Sequence, residues 1–282
     1  MESYIYWGNL NGFNAEQRTS IPTSSAVDVS IGDFNGDKHP DLAFLNYNSQ
    51  EQSLYIYWGN GQGDFGQNRR QVLSQDDLKT DNRPPRSDNI EEGMTTLLTL
   101  RANSDKLSDL AVAGSRNAIL YYGSPEGLQL MSAVILPANN CLGMAAADLN
   151  QDGRLDLILA NSGTRKAPLV DSTIFWATEQ GFNPKRRSTL PTQGARTVQA
   201  ADLNGDSFVD ILFGNSRDSQ GSDVPSYIYW GGSHGFSLHR RKEFAGFGVI
   251  SSGIADFNRD DQPDLLLVSN NSGKNILPAV IY

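Results

Sequence analysis

Residues 202–215 read DLNGDSFVDILFGN, an acidic loop that runs directly into an apolar strand. Closely related stretches are DFNGDKHPDLAFLN at 33–46, DLNQDGRLDLILAN at 148–161 and DFNRDDQPDLLLVS at 256–269. A weaker fifth copy at 101–114 reads RANSDKLSDLAVAG. Self-similarity at a period of tens of residues is the mark of repeat architectures. The sequence therefore predicts about five tandem repeats.

A second type of segment alternates with the first and carries an aromatic strand into a glycine-rich turn. Its copies are YIYWGNLNGF (4–13), YIYWGNGQGDF (55–65), ILYYGSPEGL (119–128), TIFWATEQGF (173–182) and YIYWGGSHGF (227–236). Repeats of about 40–50 residues made of short strands indicate propeller blades. The predicted fold is thus all-β, a single β-propeller domain of four-stranded blades over residues 1–282, with a long inserted surface loop at 74–92.

Each repeat reads as four strands, and the fourth copy shows them most clearly. A first strand is expected over 197–201 and an apolar second strand over 211–213. An aromatic third strand follows over 227–230, and a polar outer strand over 236–244. A wholly apolar second strand is expected where both faces are covered by neighbouring sheets.

The acidic loops at 33–41, 148–156, 202–210 and 256–264 share the spacing D-x-N-x-D-x-x-x-D. Oxygen ligands at alternate positions of a tight loop are what Ca²⁺ requires. The predicted side-chain ligands are Asp33, Asn35, Asp37 and Asp41; Asp148, Asn150, Asp152 and Asp156; Asp202, Asn204, Asp206 and Asp210; and Asp256, Asn258, Asp260 and Asp264. The seventh position is expected to bind through its backbone carbonyl and holds His39, Arg154, Phe208 or Gln262.

Two other interpretations of these loops exist. An EF-hand needs a Glu at position 12 and flanking helices, whereas these loops continue into apolar strands. Asp- and Asn-rich turns also form without a metal. Four loops of identical spacing favour about four structural calcium ions, whose charge of +8 would bring the formal net charge of −9 close to zero.

The fifth loop, at 101–109, departs from the pattern because Arg101 replaces the first Asp. A guanidinium cannot bind a metal ion, but it can neutralise carboxylates directly. We expect this loop to hold a salt bridge from Arg101 to Asp105 and Asp109 in place of calcium.

The loops, the strands after them and the aromatic-Gly-x-x-Gly-Phe segments resemble the FG-GAP/VCBS repeats of integrin α-chain-like propellers. The resemblance covers nearly the whole chain apart from 74–92. It implies a ring of blades with Ca²⁺ between first and second strands, and ligand recognition on the opposite face. It also implies an extracellular or periplasmic protein, although the sequence shows no signal peptide. Such rings commonly have seven blades, whereas five loops are found here.

The ends of the chain leave the blade count open. Tyr4 to Trp7 and Ala279 to Tyr282 both read as third strands. In a closed five-bladed ring, residues from about Phe13 to Ile21 would supply the last outer strand, and the two third-strand segments would compete for one place. Closure with five blades is favoured here, with a fragment of a larger ring as the alternative.

On the face opposite the acidic loops, a polar residue recurs five positions after the last Asp: Asn46, Asn161, Asn215 and Ser269. These side chains are candidates for binding a ligand, or alternatively for closing their own turn. A second recurring set ends the third strands and should point toward the acidic-loop side. These residues are expected to be a repeated packing position, or alternatively an aromatic platform for a sugar: Trp7, Trp58, Trp176 and Trp230.

Composition limits the remaining functional classes. The net charge of −9 argues against nucleic acid, and apolar runs of four or five residues argue against membrane insertion. The single cysteine, Cys141, reads as a buried thiol. The histidines have no metal-ligand spacing, and no nucleophile or phosphate motif is present. We therefore expect a non-catalytic recognition or adhesion module for protein or glycan. The alternatives are an assembly domain that self-associates through its terminal strands and, less favoured, a polysaccharide-degrading enzyme.

Overall fold

The computed structural model describes residues 2–47, 52–73, 93–164, 166–245, 248–269 and 280–281. Within these ranges the chain is all-β, with 21 strands in six antiparallel sheets and two short 3-10 turns. The sheets are numbered 1 to 6 in chain order. The predicted insertion at 74–92 lies outside the described residues.

Sheets 2 to 5 each have four strands that follow one another in both chain order and spatial order. Sheet 2 consists of β3 (Ala26–Gly32), β4 (Asp41–Tyr47), β5 (Gln52–Tyr57) and β6 (Arg70–Leu73). Sheet 3 consists of β7 (Met94–Leu100), β8 (Asp109–Gly114), β9 (Asn117–Tyr122) and β10 (Gln129–Pro137). Sheet 4 consists of β11 (Cys141–Ala147), β12 (Asp156–Asn161), β13 (Asp171–Thr178) and β14 (Gly181–Pro191). Sheet 5 consists of β15 (Ala195–Ala201), β16 (Asp210–Asn215), β17 (Ser226–Tyr229) and β18 (Arg241–Phe244).

The two terminal sheets are smaller. Sheet 1 contains β1 (Glu2–Asn9) and β2 (Gly12–Pro22). Sheet 6 contains β19 (Val249–Ala255), β20 (Asp264–Ser269) and β21 (Val280–Ile281). The prediction of four-stranded repeats is confirmed for the four central sheets.

Consecutive sheets stack face to face, and a separate apolar core lies between each pair. The second strands lie inside this stack, and every residue of β8, β12 and β16 is buried. The first strands form a row in which each lies beside the next, from β3 through β7, β11 and β15 to β19. The apolar second strands are explained by this stacking, because both of their faces are covered.

The outer strand of the fourth repeat is shorter than predicted. The structure has a 3-10 turn at Leu238–Arg240 before β18 begins at Arg241, and the same arrangement precedes β6 in sheet 2. The turn brings the Arg240 guanidinium onto the carbonyl of Gly231, which follows the third strand. Sheet 4, in contrast, has an uninterrupted outer strand of 11 residues.

The predicted closure through the N-terminal residues is not found. In the described residues β1 pairs only with β2, and β21 takes the place beside β20 that β1 would occupy in a five-bladed ring. Sheet 1 instead packs on sheet 2, where the Tyr57 hydroxyl donates to the carbonyl of Pro22. The Tyr229 hydroxyl makes the same bond to Pro191 at 2.6 Å between sheets 4 and 5. Sheet 1 therefore occupies the position of the outer half of a repeat.

Candidate calcium loops and the opposite face

The five acidic loops all connect a first strand to a second strand, so they lie at the same end of sheets 2 to 6. In the four complete loops, backbone torsions are left-handed at the fourth and sixth positions. The residues are Gly36 and Lys38, Gln151 and Gly153, Gly205 and Ser207, and Arg259 and Asp261. In the loop at 101–109 only Lys106, at the sixth position, is left-handed. The four complete loops therefore share a backbone course that the degenerate loop lacks.

The oxygens at the first and third positions of a complete loop point to the same place. In the loop at 148–156, Asp148 Oδ1 and Asn150 Oδ1 each lie 3.0 Å from the backbone nitrogen of Asp152. The Asn150 amide nitrogen also lies 3.1 Å from a carboxylate oxygen of Asp152. The same double approach occurs at Asp206 and Asp260. The structure thus brings the first, third and fifth positions together.

The ninth position is placed differently. The Asp156 carboxylate is fully buried and accepts the backbone N–H groups of Leu149 at 3.2 Å and Ala177 at 2.8 Å. Asp41 and Asp210 make equivalent pairs of bonds. These carboxylates connect the acidic loop to the end of the third strand or to the segment just after it, a role that the sequence pattern does not reveal.

Burial raises the pKa of Asp41 and of Asp156 to about 6, against the opposing effect of the backbone N–H groups they accept. Burial also raises the pKa of Asp210.

In the described residues no three acidic, histidine or cysteine side chains lie close enough together to enclose an ion. The first, third and fifth positions offer carboxylate and amide oxygens, which are the types of donor that Ca²⁺ takes.

The seventh-position residues contribute backbone groups, while their side chains vary. The N–H of His39, Arg154, Phe208 or Gln262 donates to the carboxylate of the fifth-position Asp at 2.8–3.0 Å. This bond keeps the backbone of the seventh position beside the fifth in every complete loop. Arg154 also forms an ion pair with Asp152 at 2.6 Å.

The predicted salt bridge in the degenerate loop is wrong. In the described residues Arg101 forms no ion pair with Asp105 or Asp109. Asp109 is buried and accepts the N–H groups of Ala102 at 2.7 Å and Gly123 at 2.9 Å. Arg101 is exposed at the loop surface, whereas Asp109 is fully buried.

On the opposite face, the three predicted ligand-binding asparagines are buried. The Asn161 side chain accepts the N–H of Asn139 at 3.1 Å and donates to the carbonyl of Asp171 at 2.9 Å. Asn46 and Asn215 make matching hydrogen bonds. Each accepts an N–H from the segment before the first strand of its sheet. Each also donates to a carbonyl in the third strand or in the loop before that strand. Asn46, Asn161 and Asn215 are therefore used to join separate backbone segments, which disfavours the ligand-binding interpretation and also differs from the local turn closure given as the alternative. Ser269, the fourth candidate, is partly exposed at the end of β20.

The aromatic residues that end the third strands pack between sheets, as predicted. A Cβ atom added to Gly127 would lie 2.9 Å from the Trp58 ring, and one added to Gly63 would lie 2.7 Å from the Trp7 ring. Tyr122 contacts Gly181 in the same way. Trp7, Trp58 and Tyr122 thus each fill the space beside the turn glycine of the next sheet, whereas Gly235 has no such neighbour. Cys141 is fully buried, and its burial raises the pKa of the thiol to about 12.

The model of the FG-GAP-like repeat matches residues 102–159 and residues 150–213. Residues 102–213 are FG-GAP-like repeats. The matched region contains the complete acidic loops at 148–156 and 202–210 and most of the degenerate loop at 101–109. The spacing of the complete loops recurs outside it at 33–41 and 256–264. The recognition made from the sequence is confirmed at the level of the repeat.

Among solved structures, the chain is similar to the V. cholerae biofilm matrix protein Bap1, with 14% identity and a TM-score of 0.48. That match covers 93% of this chain and 37% of Bap1. It is also similar to a Photorhabdus luminescens Tc holotoxin pore, with 16% identity, a TM-score of 0.38, and coverage of 94% and 12% of the two chains. The chain therefore spans less than half the length of either neighbour. No curated protein matches. Within the described ranges, no helix has the length and apolar character needed to cross a membrane.

Proposed function

We propose that the FG-GAP-like repeats form a propeller-type domain that is stabilised by about four structural calcium ions. The domain serves as a non-catalytic recognition module for a protein or a glycan, outside the cytosol. The proposal rests on one observation: an oxygen-rich loop recurs at the same end of sheets 2, 4, 5 and 6. Each copy has left-handed backbone torsions at the same two positions.

Calcium would be held by the side chains of the first, third and fifth positions and by the backbone of the seventh. When bound, the ion supplies positive charge to a loop that otherwise holds several carboxylates within nine residues. The chain itself already orders the loop through Asx-type bonds, such as the donation from Lys38 N to Asp33 at 2.9 Å. Ligand binding to the folded state alone stabilises that state by mass action.

A propeller-type arrangement is supported by the order of the strands. Propeller blades are four-stranded sheets whose innermost strands surround a common axis. The first strands of sheets 2 to 6 lie beside one another in sequence, while the charged outer strands, such as β14, lie farthest from this row. The axis is therefore expected along the first strands.

A recognition role is supported by how the carboxylates are used. The ninth-position residues Asp41, Asp156 and Asp210 are buried in structural hydrogen bonds, and the first-position aspartates are hydrogen-bonded to the backbone of their own loop. The acidic loops thus act as scaffold, which leaves the opposite face for ligand contacts. In that arrangement variable loops on a rigid frame make the specific contacts.

The first test compares matched loops. Asp206→Asn removes a carboxylate from a complete loop, and Asp105→Asn makes the same change in the degenerate loop. Thermal unfolding in millimolar calcium and in EDTA should show that Asp206→Asn reduces the stabilisation by calcium, whereas Asp105→Asn leaves it unchanged. Equal effects of the two substitutions, or a wild-type melting temperature that does not respond to EDTA, would contradict the calcium proposal.

The second test concerns recognition. The calcium-loaded protein would be applied to glycan arrays and to arrays of extracellular proteins, with a heat-denatured sample as the control. Saturable binding to one class supports a recognition module. Turnover of a bound polysaccharide, measured as new reducing ends, would instead identify an enzyme.

Self-association is a second candidate because β3 exposes a row of apolar side chains. Val27, Val29 and Ile31 are 56%, 48% and 60% exposed, and a cavity of about 520 Å³ lies between β1 and this row. Sheet 1 has strands of the third and outer type, whereas sheet 6 has a first and a second strand together with β21. Strands β19 and β20 of a second copy would complete sheet 1 once β21 leaves its place beside β20. Light scattering should then show a dimer or larger species that Val29→Asp dissociates; a monomer at all concentrations would exclude this candidate.

A further inference from the structure

Every first strand of sheets 2 to 6 has an irregularity at its second residue. The pairing register shifts there, between the first and third residues, in all five strands. The residues left out of the ladder are Val27, Thr95, Leu142, Arg196 and Ile250. A β-bulge turns the side chain of the extra residue away from the regular alternation of the strand. The five bulges therefore present one residue per sheet at the same level of the stack.

The backbone just before these strands is also similar in most of the sheets. The residue just ahead of the strand has a left-handed conformation in four of the sheets, at Ser25, Asn140, Gly194 and Gly248. The strands are also close together at this level, because a Cβ atom added to Gly143 would lie 2.8 Å from the carbonyl oxygen of Arg196. The glycine on β11 thus permits the close approach of the bulge on β15.

Four of the bulge residues line one cavity. It has a volume of about 280 Å³ and is lined by Val27, Thr95, Leu142 and Arg196 together with Tyr47, Gly93 and Met94. It lies at the end of the sheets opposite the acidic loops, since its lining comes from the starts of the first strands and the end of β4. We call it the axial cavity.

The lining of the axial cavity is mainly apolar, and Arg196 is its one charged residue. The Thr95 hydroxyl is directed toward the carbonyls of Cys141, at 2.5 Å, and Ala113, at 3.2 Å. Arg196 is exposed, and within the described residues its guanidinium makes no hydrogen bond or ion pair. An arginine with all its donors available is suited to a carboxylate, which it can bind with two parallel hydrogen bonds.

We propose that the axial cavity binds the C-terminal residue of a partner protein, with Arg196 pairing its carboxylate and Val27, Leu142 and Met94 contacting an aliphatic side chain. This inference rests on the proposed recognition function, whose ligand chemistry it specifies. A C-terminal Leu or Val presents a carboxylate and an aliphatic group from one residue, as the lining requires. An internal Asp or Glu offers the charge with little apolar surface. Small-molecule pockets begin at about 300 Å³, so this cavity has room for one residue but not for a sugar chain.

The test uses the peptide acetyl-Gly-Gly-Val-Leu, with a free carboxylate or with a C-terminal amide, titrated into the calcium-loaded protein by calorimetry. The free acid should bind about tenfold or more tightly than the amide, because a charge-assisted hydrogen bond is at stake. Arg196→Gln should remove this preference. Arg187→Gln, on the exposed outer strand β14, is the matched control and should leave both affinities unchanged. Acetyl-Gly-Gly-Glu-amide, with only a side-chain carboxylate, should bind more weakly than the Leu-ended acid.

The outcomes distinguish failure of the peptide-binding inference from failure of the calcium proposal. Equal binding of acid and amide, no effect of Arg196→Gln, or preference for the Glu peptide would overturn the inference. No binding of any peptide to a protein that calcium still stabilises would overturn it as well, while leaving the calcium proposal intact. Melting temperatures of the two arginine variants in calcium should match the wild type, which excludes unfolding as the reason for lost binding.

Discussion

The indole ring of Trp58 fills the space beside Gly127 so completely that an added Cβ atom would lie 2.9 Å from it. Gly127 also has a φ of +100°, a conformation that side chains with a Cβ rarely adopt. The two residues belong to consecutive sheets, the Trp just after β5 and the Gly in the turn before β10. The contact therefore couples the turn of one repeat to the third strand of the preceding repeat.

Gly127→Ala is predicted to destabilise the protein by about 3 kcal/mol, because a left-handed alanine and a clash with a packed ring both add cost. Gly235→Ala is the matched control: this turn glycine has a φ of +72° but no atom within 4 Å of an added Cβ. It should cost only about 1 kcal/mol. Urea unfolding measures both values. Equal costs would contradict the role assigned to Trp58, as would an undiminished cost of Gly127→Ala in a Trp58→Leu background.

Asn161→Ala is predicted to destabilise the protein by about 3 kcal/mol, since it leaves buried backbone groups at Asn139 and Asp171 without partners. Ser269→Ala, at the corresponding position of sheet 6, is partly exposed and should cost less than about 0.5 kcal/mol. Chemical unfolding of both variants checks the difference. A stable Asn161→Ala variant with altered ligand binding would instead return this residue to a recognition role.

Asp109 gives a pH-dependent prediction in a loop for which no calcium is proposed. Burial raises its pKa to about 6, above the value of about 4 expected in the unfolded chain. Between these values the folded state binds a proton that the unfolded state does not. The contribution of Asp109 to stability should therefore increase as the pH falls through 6, and it should be lost as the pH rises through 6.

Asp109→Asn removes this titration. The stability of the wild type relative to this variant should increase by up to about 3 kcal/mol between pH 7 and pH 4. Urea unfolding in EDTA at several pH values measures the difference, and a carboxyl NMR titration of Asp109 gives its pKa directly. A pH-independent difference, or an Asp109 pKa near 4, would show that burial does not govern this carboxylate.

The repeat pattern was sufficient to predict most of the fold. The apolar run after each acidic loop predicted the buried second strands, and the glycine of each aromatic segment predicted the turn before the outer strand. These features depend on local sequence. Because the pattern occurs four or five times, a strand or turn that is ambiguous in one copy can be assigned from the others. The packing role of Trp7 and Trp58 also followed from their recurrence at equivalent positions.

Other features depend on partners distant in sequence and were not predicted. Nothing near Asn161 indicates that both ends of its amide are bonded to backbone in other segments. Likewise the inward placement of Asp109 depends on the N–H of Gly123, which lies 14 residues away. The bulge at Arg196 is defined by the pairing register of β15 and β16, and the alternation of apolar and polar residues in the sequence does not determine that register. Strand β1 belongs to sheet 1 and not to sheet 6. This placement depends on the sheet against which its apolar face packs, and the local sequence does not identify that sheet.

Calcium stoichiometry is the most direct test of the account. Equilibrium dialysis of the metal-free protein against millimolar calcium, with bound metal measured by atomic emission, counts the ions on each chain. The account predicts about four, and about three for Asp206→Asn, with Asp105→Asn retaining the full number. A wild-type protein that binds no calcium under these conditions would contradict it.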